Sequence, residues 1–179
     1  SQVAATASGT VGTILIDAEQ INVHRGEVGI ESNNILALSD ASTGLSGPGL
    51  IQIETGTLTL SQSNVNARST GNVDAAAIRI DASDVVRLDL SQITTEANTG
   101  DGGAIDVKAD RRIHLDNSRI TTSVFGETGD GGDIVLAAEH LLLESGFIQA
   151  NTAADDAAGG RIFVDTRGLI GTGGKVEIG

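Results

Sequence analysis

The chain has 179 residues, 39% of them hydrophobic, and a formal net charge of −13. The numerous and regularly placed apolar residues exclude a disordered acidic segment, and the negative charge argues against nucleic acid and anionic membrane surfaces as partners. No apolar stretch approaches the ~20 residues of a membrane-spanning helix, and no basic-then-apolar segment suggests a signal peptide, so we expect any export signal to lie outside these residues.

In chain order, the first recurring element is a triplet whose two outer apolar residues share one side of a strand while its centre faces the other. Its six copies begin at Ile14, Ile51, Ile78, Ile105, Ile134 and Ile162. From Ile51 onward, successive copies start 27, 27, 29 and 28 residues apart. A period of this length indicates a repeat architecture, in which each unit buries its apolar side against its neighbours.

Two further triplets follow within each repeat. The second begins seven or eight residues after the first, at Ile21, Leu58, Val86, Ile113 and Leu141, with a degenerate copy near Leu169. The third begins seven residues later, at Val28, Val65, Ile93, Ile120 and Ile148. Three inward-facing strands per repeat describe a three-sided coil. We therefore predict an all-β fold, a right-handed parallel β-helix (solenoid) of about six three-strand coils of 27–29 residues, with residues 1–179 as a single domain.

Glycine-rich segments return the chain from one repeat to the next. Gly-Asp-Gly-Gly occurs at residues 100–103 and 129–132, and we expect these glycines to supply the positive φ angles of tight turns. The first repeat is longer, because Ile51 follows Ile14 by 37 residues. The surplus lies within residues 31–49, which we predict to form a protruding loop or a supplementary pair of strands.

Other architectures fit the pattern less well. A leucine-rich repeat needs a helical arc, for which the second and third triplets leave no room, and a β-sandwich would not keep a constant period. Residues 137–144 have helical propensity, but they coincide with a strand position in the other repeats, so we predict a strand there.

The two ends of the chain show no recognisable polar cap. Residues 173–179 suggest the glycine turn and opening strand of another coil, while residues 1–10 show no amphipathic cap and residues 8–10 only lead into the first strand. An uncovered terminal coil presents unpaired N–H and C=O groups that recruit other strands. We therefore expect the chain to be a segment of a longer rod, or to stack end to end with copies of itself.

One phrase of the repeat is specific enough to compare with a family. Gly-Asp-Gly-Gly-x-Ile-x-Val/Leu is followed by an Ile/Leu-x-Leu triplet and, in one repeat, by Asn-Ser-Arg-Ile-Thr-Thr at residues 117–122. Over residues 49–168 this pattern resembles the filamentous-haemagglutinin-like repeats of two-partner-secretion exoproteins, a family of parallel β-helix adhesins. The amino-terminal secretion domain of such exoproteins is not visible in this sequence.

This resemblance implies a non-enzymatic structural or adhesive segment of a secreted or cell-surface exoprotein or extracellular filament. It implies a location outside the cell or on the outer surface of a Gram-negative bacterium or cyanobacterium, without membrane insertion. The implied partners are glycans or proteins on host or neighbouring cells. The alternative is a carbohydrate-active β-helix enzyme, a polysaccharide lyase or hydrolase, with a cleft on its outward face.

Enzymes that cleave polysaccharides need converging acid and base groups, commonly two carboxylates about 5–10 Å apart. The register instead predicts Arg79 beside Asp106, an arrangement typical of solvated ion pairs. A second outward row has mixed signs and contains Asp17, Glu54, Asp81 and Lys108. The histidines His24, His114 and His140 occupy unlike positions in their repeats, so we expect no zinc cluster. We predict that the chain is not an enzyme, with no catalytic residue and no bound organic cofactor.

A column of aspartates is the candidate metal site. Asp74, Asp101 and Asp130 each precede the first-strand isoleucine of their repeat by four residues, so they should stack on one turn. Carboxylates about 5 Å apart repel one another unless they diverge or a cation bridges them. We therefore predict a Ca²⁺ column here, with an exposed turn of diverging side chains as the alternative.

Two threonine pairs also superpose. Thr94-Thr95 and Thr121-Thr122 give a small patch, too small for the long arrays that bind ice, and we interpret it as ordinary β-propensity with hydrogen bonding between coils.

Overall fold

The computed structural model describes residues 2–7, 12–32, 49–153 and 157–179, which contain thirteen strands and no helix. Six strands are long: β2 (Thr13–His24), β4 (Leu50–Ser61), β6 (Ala77–Asp89), β8 (Ile105–Asp116), β10 (Ile134–Glu144) and β12 (Ile162–Thr172). Seven are short: β1 (Gln2–Ala7), β3 (Glu27–Ser32), β5 (Asn64–Ser69), β7 (Gln92–Ala97), β9 (Arg119–Val124), β11 (Phe147–Thr152) and β13 (Glu177–Ile178).

The strands form two parallel sheets. The long strands pair in the order β2-β4-β6-β8-β10-β12, and the short strands in the order β1-β3-β5-β7-β9-β11-β13. Each strand therefore pairs with its equivalent in the next repeat, which is the arrangement of a β-solenoid. The predicted all-β class, parallel pairing and stacking of repeats are confirmed. The right-handed sense and the number of coils stay predictions.

The predicted facing of the first strand is confirmed. The six residues expected inside are at most 1% exposed: Ile78, Ile80, Ile105, Val107, Ile134 and Leu136. They are paired in register across β6, β8 and β10. At the outward centres, Arg79 is exposed, and Asp106 and Val135 are partly exposed. An error of one residue in register would have reversed every one of these side chains.

The prediction of three separate strands per repeat is wrong, because the first two triplets belong to one long strand. In β4, Ile51, Ile53 and Thr55 are buried, then two residues in succession are not, and Leu58 and Leu60 are buried again. The ladder between β4 and β6 is irregular at the same place, between Thr55 and Thr57. This change of phase marks a bend that keeps both halves of the strand facing one core.

Both ends of the chain add a strand to the sheet of short strands. At the start, Gln2–Ala7 form β1, which pairs with β3, and the lead-in predicted at residues 8–10 lies outside the described residues. The tail does not open another coil, since β13 pairs with β11 through Phe147↔Glu177 and Ile148↔Ile178, and so occupies a short-strand position. The strand predicted at residues 137–144 is confirmed as part of β10.

A single left-handed residue joins each of the long strands β2, β4, β6, β8 and β10 to the following short strand, and the left-handed residue after β12 is Gly173. The five residues at this position have φ between 44° and 52°: Arg25, Gln62, Leu90, Asn117 and Ser145. None is glycine, although such φ values are uncommon in other residues. We call these five residues the left-handed column.

The expected positive φ of the return-segment glycines is confirmed only at Gly129, since Gly173, the other described glycine with positive φ, lies after β12. The remaining glycines of residues 100–103 and 129–132 serve another purpose. A Cβ at Gly103 would overlap the carbonyl oxygen of Ala76 in the preceding repeat, and one at Gly132 would overlap that of Gly103. These glycines therefore allow adjacent return segments to approach closely.

The predicted protruding segment at residues 31–49 lies mostly outside the described residues, which omit 33–48. No helix long and apolar enough to cross a membrane occurs in the part of the chain that the structure describes.

Candidate functional site

The predicted aspartate column forms a ladder between coils. The Asp74 carboxylate accepts the backbone N–H of Asp101 at 2.9 Å, and the Asp101 carboxylate accepts that of Asp130 at 2.8 Å. The Asp130 carboxylate accepts the N–H of Ala158, also at 2.8 Å. Each carboxylate therefore uses one oxygen to bind the next coil, which satisfies backbone donors that the turn leaves unpaired.

These hydrogen bonds bear on the predicted calcium site. The three aspartates are exposed, and no group of three or more His, Asp or Glu placed to hold a metal ion occurs among the described residues. The ladder satisfies part of each carboxylate without a cation. Calcium binding by Asp74, Asp101 and Asp130 stays a prediction.

Asp133 makes an ion pair between two return segments, with Arg161. Its carboxylate accepts the Arg161 backbone N–H at 2.8 Å and the Arg161 Nη2 at 2.8 Å. The side-chain hydrogen bond from Arg161, followed by its backbone hydrogen bond, holds the pKa of Asp133 below its ordinary value. The carboxylate therefore stays ionised at neutral pH and ties two adjacent repeats together.

The outward row of the long strands carries the expected ion pairs. Arg79 Nε lies 3.8 Å from Asp106 Oδ2, and Lys108 Nζ lies 3.0 Å from the same oxygen. Farther along the strands, Arg111 pairs with Asp84 at 2.7 Å. Exposed pairs of this kind contribute at most about 1 kcal/mol each to the free energy of unfolding. They therefore affect the charge distribution of the surface more than the stability of the fold.

His114 lies on the outward side, as predicted, but it is only 8% exposed. Its register neighbours on the two sides are Arg87 and Leu142. Its Nε2 is 3.5 Å from Glu144 Oε1, without hydrogen-bond geometry. His24 and His140 are exposed.

An open groove of about 490 Å³ follows the bend of the last long strands. We call it the charged groove, because it is lined by Lys108, Asp110, Glu139, Asp165 and Arg167 around a floor of small residues. All five charged residues are exposed. Glu139 is already paired with Arg167 at 3.4 Å.

A second groove, of about 320 Å³, follows the left-handed column and has a different character. We call it the amide groove, since its outer residues are Asn64, Leu90, Gln92, Asn117, Arg119, Ser145 and Phe147. Sequence reasoning missed it. The signal for it in the sequence is the spacing of residues 64, 92, 119 and 147, which are 28, 27 and 28 residues apart.

A ladder of buried serines positions the amide groove. The Ser91 hydroxyl accepts the N–H of Ser63 at 3.0 Å, and the Ser118 hydroxyl accepts that of Ser91 at 3.0 Å. Each hydroxyl also donates to a carbonyl two residues earlier, as Ser91 does to Asp89 at 2.7 Å. Because each serine directly follows a residue of the left-handed column, this ladder fixes the groove floor.

The two threonine pairs superpose as predicted, with Thr94 beside Thr121 and Thr95 beside Thr122, but the hydroxyls of Thr95 and Thr122 do not bond between coils. Thr95 and Thr122 are 0% exposed and Thr94 is 5% exposed. The Thr95 hydroxyl donates to the carbonyl oxygen of Gly103 at 2.6 Å, and the Thr122 hydroxyl to that of Gly132 at 2.8 Å. These threonines face inward and bind the return segment of their own repeat.

Comparison of the chain with protein-family models, with curated proteins and with solved structures returns no match. Its function is therefore inferred from the arrangement of its own residues.

Proposed function

We propose that the chain is a non-enzymatic structural and adhesive segment of a secreted or cell-surface exoprotein or extracellular fibre. The observation that carries the proposal is the continuous pairing of the long strands. β4, for example, pairs with β2 from Leu50 to Ser61 and with β6 over the same residues. One aliphatic core runs through all these repeats, as a rigid spacer requires.

Two further features support a rod that displays its outer surface. Its outward residues are stacked in columns from coil to coil, so one long face displays rows of side chains at regular spacing. Several of its charges are paired between neighbouring repeats, as in Arg79–Asp106 and Asp133–Arg161. The proposed partners are glycans or proteins on host or neighbouring cells, and the proposed location is the outer surface of a Gram-negative bacterium or cyanobacterium.

Surface staining tests this proposal. Antibodies raised against the purified chain should label intact cells of the source organism, and external protease should remove the label while a cytoplasmic marker survives. Beads coated with the chain should adhere to cells more than beads coated with heat-unfolded chain. Label that requires permeabilisation overturns the proposal. End-to-end self-association belongs to the same proposal, and light scattering at increasing protein concentration tests it.

The charged groove favours one second candidate, a carbohydrate-active enzyme. It brings Asp110, Glu139 and Asp165 to one groove together with Lys108 and Arg167. The carboxylates are exposed, whereas a general acid at neutral pH usually needs burial. Incubation with polygalacturonate should therefore release no new reducing ends or unsaturated products. Turnover that Glu139→Gln abolishes would establish the enzyme instead.

A further inference from the structure

The outward residues at the start of four short strands form one continuous row in the amide groove. Register places Asn64 beside Gln92, Gln92 beside Arg119, and Arg119 beside Phe147. All four line the groove. Along the row the chemistry changes from two amides to a guanidinium and then to an aromatic ring.

The amide groove lacks the acidic residues that are abundant in the rest of this chain. None of its nine lining residues carries a carboxylate, although the chain contains 24 acidic residues. In register, Glu27 lies beyond Asn64 and Glu177 lies beyond Phe147, outside the lining at the two ends. Arg119 is the one charged residue of the lining, and the Asp116 carboxylate, which contacts the lining, is bound by Asn117 Nδ2. The groove therefore favours an acidic group over a basic one at Arg119.

Three polar side chains of the groove, those of Arg119, Gln92 and Asn117, are hydrogen-bonded before any ligand binds. Arg119 Nε donates to Gln92 Oε1 at 2.7 Å, which orients the planar guanidinium. Asn117 Nδ2 donates to Asp116 Oδ1 at 2.8 Å. Fixed side chains lose less conformational entropy when a ligand binds.

The aromatic residue of the groove, Phe147, lies outside the hydrophobic core. The chain has three phenylalanines; Phe125 and Phe163 are 61% and 51% exposed, and Phe147 is partly exposed in the amide groove. The core is aliphatic and needs none of them. Phe147 adds an apolar ring to the row, beside the guanidinium of Arg119.

We infer that the amide groove binds an acidic glycan. The carboxylate of a uronic acid pairs with Arg119. Sugar hydroxyls, which both donate and accept, bind the amides of Gln92 and Asn64, and the apolar face of one sugar ring lies on Phe147. This inference rests on the proposed function, because it gives the adhesive segment its partner class.

A peptide fits the groove less well. Peptides commonly add a strand to a free sheet edge, but β5, β7 and β9 are each paired on both sides. Helical and other folded peptides anchor apolar side chains in apolar pockets, whereas most of this lining is amide, hydroxyl or guanidinium.

Isothermal titration of the purified chain with oligogalacturonate tests the inference. The buffer should contain about 0.15 M salt, which screens the remote carboxylates beyond about 8 Å. We expect saturable binding, weakened at least tenfold by Arg119→Gln and severalfold by Phe147→Leu. The matched controls Arg111→Gln and Phe163→Leu change the same residue types elsewhere and should leave the affinity unchanged.

Three results would overturn the inference: no binding of oligogalacturonate, an equal loss with Arg111→Gln, or equally tight binding of poly-L-glutamate. Equally tight binding of poly-L-glutamate would show that a peptide, or negative charge alone, is sufficient for binding to the groove. Circular dichroism of each variant confirms that the solenoid is folded. Failure here leaves the surface-staining result unaffected, so the rod function and the ligand are tested separately.

Discussion

Arg161 binds the Asp133 carboxylate twice, once through its own backbone N–H and once through its guanidinium, each at 2.8 Å. The Asp133 side chain thus links the residue that precedes β10 to the residue that precedes β12 in the next repeat. The two residues directly precede Ile134, which is buried, and Ile162, which is partly buried against the core, and these isoleucines are paired in register.

Asp133→Asn should make the solenoid less sensitive to acid. The folded-state pKa of Asp133 is lowered, so its contribution is present above the unfolded-state value of about 3.9 and is lost as pH falls through the folded value. The wild type should melt higher than the variant, by a few degrees at most, at pH 5–7, and the difference should vanish near pH 2. Thermal melts across this pH range, repeated in 1 M salt to screen the pair, measure it. Equal Tm values at every pH would show that the pair contributes nothing.

Ile105→Asp should abolish cooperative folding. Ile105 is 0% exposed in the middle of the stack, and an unpaired carboxylate there costs several kcal/mol or more. Thr59→Asp is the matched control, because it places the same side chain at an outward position beside Arg87. Urea unfolding followed by circular dichroism distinguishes them. A folded Ile105→Asp variant of normal stability would contradict the assigned register.

Ser91→Ala should lower the free energy of unfolding by about 1–3 kcal/mol, because it leaves the buried N–H of Ser63 without its acceptor. Ser123→Ala removes a hydroxyl that binds Asn151 at the surface and should stay within about 0.5 kcal/mol of the wild type. Chemical denaturation measures both values. Equal effects of the two changes would mean that the serine ladder does not stabilise the turn.

Calcium should raise the Tm of the wild type if the aspartate column holds a cation, and Asp101→Asn should remove that increment. An asparagine side chain can still accept the N–H of Asp130, as Asp101 does, so this variant keeps the ladder and loses the charge. Asp101→Ala, which loses both, should lower the Tm even with chelator present. Identical melting of the wild type in calcium and in chelator would exclude the site.

The core could be predicted from sequence because two independent periods agree. Ile78 and Ile80 alternate with Arg79 at period two, and Ile105 repeats Ile78 after 27 residues. The bend within each long strand could not be predicted. A change of phase in the apolar pattern, as between Thr55 and Leu58, looks the same in sequence as a turn between two strands.

The amide groove was not predicted, because its residues share a position in the repeat but have different side-chain chemistry. Gln92, Arg119 and Phe147 have nothing in common locally, and only the stacking of repeats brings them together. The aspartate column was visible because its members are identical. Its hydrogen bonds were not, since they depend on the distance between return segments that Gly103 and Gly132 set.

The left-handed column has a consequence for how this protein can diversify. Its members Arg25, Gln62, Leu90, Asn117 and Ser145 share a backbone conformation but have five different side chains. A β-branched residue is disfavoured at such φ values. Most other residues can be accommodated, provided that the serine or glycine that follows is kept. Evolution, or a designer, can therefore exchange one side chain per repeat here, and each exchange changes the outer surface independently of the others.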